Sequence, residues 1–267
     1  MMPPNYVKAY LRRQKNDAAD AEAICEAVQR PNMRFVTLKS AERQAVLTLH
    51  KARELLVRQR TMLINAIRSH SAEFGLIAPL GARKVDDLME DVRAADDDVL
   101  PAMAKTALMA LAGQLRLLAE EIGRLDRRLM AWHRQDEISQ RLATIPSVGA
   151  ISATALSASI PNPMLFRSGR EFAAFLGLVP RKNSSGGKDR LGRISKMGDG
   201  YLRKLLVVGA TSVVRRAKTD ALAAAPWVRS LLERRPARVA TVAMANKTAR
   251  IAWASMTRGE VNRPIAA

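Results

Sequence analysis

Between residues 108 and 132 apolar side chains return at alternating intervals of three and four: Leu108, Leu111, Leu115, Leu118, Ile122, Leu125, Leu129 and Trp132. That spacing is a heptad seam sustained over more than three heptads, and it predicts one long helix opened by Pro101. A second stretch, Ser40 to Phe74, holds neither proline nor glycine and repeats Leu49, Leu56 and Leu63 at seven residues. Its other side carries Lys51, Arg53, Arg58, Arg60 and Arg68. The pair predicts an antiparallel coiled-coil hairpin, although the same seam would serve a dimer equally well. Between them lies an acidic section, Asp86 to Asp98, read as a solvated connector with one short helix. Shorter helices are expected from Asn16 or Asp17, over Arg170 to Leu176, from Tyr201 to Val214, from Thr219 towards Leu232, and from Arg238 to Met256.

Composition sharpens this outline. The chain has 267 residues, a formal net charge of +19 and only 4% aromatics. Such an excess of cations implies a polyanionic partner. The scarcity of aromatics argues against stacking platforms, so contacts from Arg, Lys and backbone amides to phosphate should dominate. Cys25 is the single cysteine, which excludes internal disulfides and cysteine-based zinc sites. No apolar run reaches membrane-spanning length. His50, His70 and His133 lie scattered on helical stretches and read as surface or core residues.

Three places carry candidate chemistry. Asp17 and Asp20 stand three apart near a helix start, so both carboxylates share one face. They could share a divalent cation with partners from elsewhere, or simply complement the helix dipole. Ile145-Pro-Ser-Val-Gly149 lies between two helical patterns and reads either as a helix-hairpin-helix turn or as an ordinary helix–helix turn. In the first reading Gly149 and the following amides face a phosphate. Finally, Gly177 to Gly198 concentrates glycines, hydroxyls and cations: Ser184-Ser185-Gly186-Gly187 stands among Arg181, Lys182, Lys188, Arg190, Arg193 and Lys196. That loop suits a phosphodiester, and equally a solvated basic hairpin; Arg203 follows on the next helix.

Taken together, Lys15-Asn-Asp-Ala-Ala-Asp-Ala-Glu, the coiled-coil spacer, Ile145-Pro-x-Val-Gly and Ser184-Ser-Gly-Gly…Gly-Arg-Ile-Ser-Lys-Met-Gly-Asp resemble the DEDD/serine insertion-sequence transposases of the IS-one-ten family, the bridge recombinases. The likeness runs from about Val7 to Arg216. It implies a mainly α fold: the remnant of an RuvC-like (RNase H-like) domain over 1–38, the coiled-coil hairpin over 39–136, a helical C-terminal transposase domain over 137–258 and a loose tail over 259–267. It implies further that Asp17 and Asp20 are the last two acids of a magnesium-binding tetrad. Ser185 is then the nucleophile, with Ser184 its less favoured neighbour. Gly149, Arg181, Lys182, Lys188, Arg190, Arg193, Lys196 and Arg203 would bind nucleic acid. DNA, a bridge RNA and further copies of the chain, joined through the coiled coil, are the implied partners, in the bacterial cytoplasm beside the nucleoid.

The family's first two acids lie on strands of its sheet, and nothing before Asp17 can form those strands. The chain is therefore expected to be the C-terminal part of a transposase, with half a metal site, binding DNA without recombining it. The rival reading is a non-catalytic DNA- or RNA-binding coiled-coil protein; a plain structural scaffold leaves the charge and the glycine-serine loop without a purpose.

Overall fold

The computed structural model describes residues 2, 4–11, 16–31, 33, 35, 37–183, 190–220 and 225–262. The chain is mainly helical. A short helix, α1 (Pro4–Val7), runs into a 3-10 turn at Lys8–Tyr10 and is followed by α2 (Asp17–Val28). Asn16 caps α2, its Oδ1 accepting from the Ala19 amide at 2.7 Å. Ala23 and Ala27, one turn apart, are buried. Their helix packs on the 4–10 segment and, among the described residues, on no other element.

Helices α3 (Ala41–Ala72) and α5 (Ala102–His133), each of 32 residues, form the predicted antiparallel hairpin. Ser40 caps α3 as its position predicts, Oγ accepting from the Arg43 amide. All eight seam residues of α5 are buried or half-buried, Leu108, Ile122 and Leu129 most completely. At the base of the hairpin Leu129 and Trp132 meet Val46, Leu47 and Leu49 of α3. The seam is thus taken up within the chain, which decides between the two arrangements it allowed. Polar pairs fix the register: Trp132 Nε1–H donates to Glu42 Oε1 at 2.7 Å, and the Arg53 guanidinium grips both oxygens of Asp126.

The acidic section departs from expectation. Its helix, α4 (Lys84–Ala94), does turn Asp86, Asp87, Glu90 and Asp91 to solvent. Yet Val85, Leu88, Met89 and Val92 form a stripe at 3-1-3 spacing, all buried against Ile67, Leu100 and Leu108. α4 therefore closes the far end of the hairpin and is no mere connector. Arg68 fastens the loop before it by donating to the carbonyls of Ala78 and Pro79.

The remainder comprises α6 (Glu137–Ala143), α7 (Ala150–Ser159), α8 (Gly169–Phe175), a ribbon of β1 (Pro180–Lys182) and β2 (Leu191–Ile194), then α9 (Gly200–Thr219), α10 (Pro226–Arg234) and α11 (Ala237–Arg258). α7 is their centre. From Ser152 to Ala158 every residue is buried, and all but Leu156 are small, so α3, α5, α6 and α9 approach it closely. Phe172, Leu176, Leu178, Leu202, Leu206, Ala245 and Ala249 complete this core. α9 runs five residues beyond the expected Val214, and α10 starts only at Pro226, because proline is best accommodated in a helix's first turn. Of the tail expected to be loose, Gly259 ends α11 with φ +72°, and the Asn262 amide donates to Thr144 Oγ1 at 3.2 Å. Residues 259–262 thus fold back over the end of α6.

Candidate nucleic-acid interface

The Gly177–Gly198 stretch rises from a neck that only glycine permits. Gly177 has φ +69°, and a Cβ there would lie 2.3 Å from the Met197 carbonyl oxygen. Gly198 has φ +70°, and its Cβ would lie 1.8 Å from the Phe175 carbonyl oxygen. The two ends are stitched by Lys196 N–H to Gly177 O and Ser195 N–H to Val179 O. Arg203 Nη1 donates to the carbonyls of Leu176 and Met197, both at 2.9 Å. This cation, expected to bind nucleic acid, thus also ties the neck shut.

Above the neck β1 pairs antiparallel with β2, Pro180 facing Ile194 and Lys182 facing Leu191, with an irregularity between. The Asn183 amide donates to Arg190 O at the end of the ribbon. Arg181 lies along it, donating from Nε and Nη2 to Ser195 O. Arg190, Arg193 and Lys196 are exposed, and Lys196 takes a left-handed φ of +55°. Ser184, Ser185 and Lys188 lie outside the described residues.

The Ile145–Gly149 turn is held by the rest of the domain. Ser147 adopts φ +77°, its Oγ shares a proton with Thr248 Oγ1 at 2.9 Å, and its carbonyl presses on α9. A Cβ on Gly209 would lie 1.9 Å from that carbonyl oxygen. Gly149 is exposed at the N-cap of α7, with no side chain capping the helix and open space where a Cβ would be. An approaching phosphate would find backbone amides there.

Asp17 is exposed and Asp20 half-buried, both in the first turn of α2. Among the described residues α2 touches only the 4–10 segment, so these carboxylates do not meet the described part of the ribbon. Among the described residues no three His, Cys, Asp or Glu side chains gather as a metal site. Two carboxylates alone do not offset the dehydration of magnesium, so the described residues do not by themselves fit that ion.

Two features escaped the sequence. One is a polar junction where the hairpin meets the C-terminal helices. His50 is buried, with Nε2 3.1 Å from Thr154 Oγ1 and Nδ1 3.0 Å from Tyr201 Oη. Thr154 spends its own proton on the Ala150 or Ile151 carbonyl, so His50 Nε2–H must be the donor and Tyr201 O–H must donate to Nδ1. Burial, helped by neighbouring Arg53, pulls the His50 pKa down to about 4. Burial also pushes Tyr201 up to about 12, while the hydrogen bond to Asp126 raises Arg53. Lys204 adds an ion pair to Glu54 across the same junction. The second feature is a cleft of about 1500 Å³ between α8, the ribbon and α11. Its residues come from segments up to 86 positions apart, Ser168 to Ala254, which no local motif announces.

Comparison with known proteins adds a family context. Residues 139–225 match the model of the transposase IS116/IS110/IS902 family, and residues 1–74 match that of the IS110-type DEDD transposases. A probable family 20 transposase of Pseudomonas aeruginosa is 48% identical over 265 residues, covering 99% of this chain and 78% of that protein. A putative transposase of Sinorhizobium fredii is 49% identical, covering 98% of this chain and 68% of the relative. The transposase for insertion sequence element IS1111A of Coxiella burnetii is 40% identical, with 98% and 72% covered. Among the described residues no helix is long and apolar enough to cross a membrane.

Proposed function

Because this chain belongs to the IS116/IS110/IS902 family of insertion-sequence transposases, we propose that it cuts and rejoins DNA through Ser185 once further carboxylates join Asp17 and Asp20, and binds DNA without recombining it until they do. In this step Ser185 Oγ forms a bond to a backbone phosphorus while one bridging P–O bond breaks. The serine proton passes to solvent or a base, and the released DNA hydroxyl gains a proton. The phosphoserine link conserves the ester for rejoining to another strand. Arg181, Lys182, Lys188, Arg190, Arg193 and Lys196 hold the phosphate and offset its growing charge. Gly149 and the first amides of α7 bind backbone elsewhere on the duplex, without reading sequence. A bridge RNA that pairs with target and donor DNA supplies the sequence.

The observation that supports this reading is the glycine-sealed neck, a fixed base beside which Arg190, Arg193 and Lys196 are exposed. A solvated hairpin needs no such base. Asp17 and Asp20 act in the same reading as two of a larger set of carboxylates. Since among the described residues α2 does not meet the ribbon, a further copy in a homo-oligomer is what brings the two together. With the coiled-coil seam occupied internally, that assembly uses other surfaces of the hairpin.

The test incubates labelled insertion-sequence-end DNA with the protein, magnesium and the RNA transcribed from the element, then looks for an SDS-resistant protein–DNA adduct. Wild type and Ser184→Ala should form it and Ser185→Ala should not. An adduct that persists in Ser185→Ala refutes the assignment. Salt-sensitive binding with no adduct in any variant leaves the chain a DNA-binding protein only.

A further inference from the structure

The cleft beside the ribbon has two kinds of surface. Its floor is apolar: Val239, Val242 and Ile251 come from α11, and Leu178, Pro180 and Ile194 from the ribbon side. Its rim is cationic, with Arg170, Arg193, Lys196, Arg238, Lys247 and Arg250 all exposed. Among the described residues no Asp or Glu lines it. The walls are fixed in place. A Cβ on Gly169 would lie 3.2 Å from the Arg250 backbone, so α8 starts against α11, and Asn246 Nδ2 donates to Leu178 O at 3.2 Å. Trp253 spends its indole N–H on Pro163 O, which leaves the cleft only its hydrocarbon surface. Trp227 stands at the mouth with the Lys247 ammonium 4.4 Å from its ring centre.

A ligand matching both surfaces needs anionic groups spaced along one edge and flat apolar faces along the other. Duplex DNA offers the first without the second, because its base faces are buried in the stack. An unpaired strand offers both. We propose that this cleft holds an unpaired stretch of nucleic acid next to the ribbon, with phosphates on the cationic rim and one or two bases against the α11 floor and Trp227. The proposal rests on the DNA-cutting reading above, since strand exchange necessarily frees unpaired strands beside the cut phosphate. It does not depend on which serine attacks. It also assigns a role to Trp227, Arg238, Lys247 and Arg250, none of which belongs to the Gly177–Gly198 stretch.

The test uses the full chain carrying Trp132→Phe, which leaves Trp227 and Trp253 as the only tryptophans. An eight-nucleotide oligothymidine should quench their fluorescence, and a blunt duplex of the same length should not. Val242→Asp, which sets a carboxylate into the floor, should weaken oligothymidine binding about tenfold, as expected for loss of one stacked base. Binding of a long duplex should change less than twofold. If Val242→Asp melts early, Lys247→Glu replaces it with the same expectation. Equal quenching by duplex and single strand overturns the proposal, as does unchanged oligothymidine affinity in the variant. Quenching by phosphatidylglycerol vesicles but not by oligothymidine overturns it too, and assigns the cleft to lipid. None of these results touches the Ser185 adduct, so the two readings fail separately.

Discussion

His50 gives a direct measure of how firmly the hairpin is joined to the C-terminal helices. It lies on α3 but bonds to Thr154 on α7 and Tyr201 on α9, so its ring spans three elements. Its pKa falls from an unfolded value of 6.5 to about 4 in the fold. The folded pKa is the lower, so the unfolded chain binds more protons throughout that window and stability rises with pH across it. The contribution is fully present above pH 6.5 and is lost progressively towards pH 4. At pH 5 the two values imply a loss of about 2 kcal/mol relative to pH 7.5. His50→Gln keeps one donor and one acceptor but cannot titrate. Urea unfolding of both proteins at pH 7.5 and pH 5 should therefore show wild type losing about 2 kcal/mol more than the glutamine variant. His50→Ala should cost about 3 kcal/mol at pH 7.5, from two lost hydrogen bonds and an unfilled space. Parallel pH dependence in wild type and His50→Gln would refute the reasoning, because it would mean that His50 is not held neutral by its surroundings.

Two further outcomes follow from packing. Gly209→Ala places a methyl group 1.9 Å from the Ser147 carbonyl oxygen, so it should lower stability by about 3 kcal/mol and displace the Gly149 turn, weakening duplex binding in a salt titration; an unaltered melting temperature would contradict the close approach. Leu88→Ala opens a space where α4 closes the hairpin and should cost about 2–5 kcal/mol, whereas a loss below about 1 kcal/mol in urea unfolding would return α4 to the role of a connector.

How much of this was legible in the chain depended on how local each signal was. The α5 seam was plain because it runs unbroken along one face of a single 32-residue helix, so the period survives undisturbed from Leu108 to Trp132. The Ser40 cap was equally plain, being set by residues three apart. α4 carries a helical apolar stripe of the same kind, but four acids interleave with its four buried side chains, and with Asp96 to Asp98 following, they draw the reading towards solvent. Gly177 and Gly198 read in sequence only as the ends of a glycine-rich stretch; the carbonyls of Phe175 and Met197 that make them obligatory belong to the packing of α8 against the following loop. Arg203 reads as one more cation until its two backbone acceptors are seen. The cleft and the His50 junction were invisible because each gathers residues from distant segments, and a buried histidine looks no different in sequence from an exposed one.

The two 32-residue helices of the hairpin have a mechanical consequence. At 1.5 Å per residue they form a paired rod about 48 Å long. α7 grips that rod at its base on both helices, and the same α7 begins at the exposed Gly149 amides. A tilt of about 5° at that joint sweeps the α4 end of the rod through about 4 Å. The hairpin is thus a lever whose fulcrum is also a proposed DNA contact. Whatever grasps its acidic far end gains leverage over where the Gly149 amides sit.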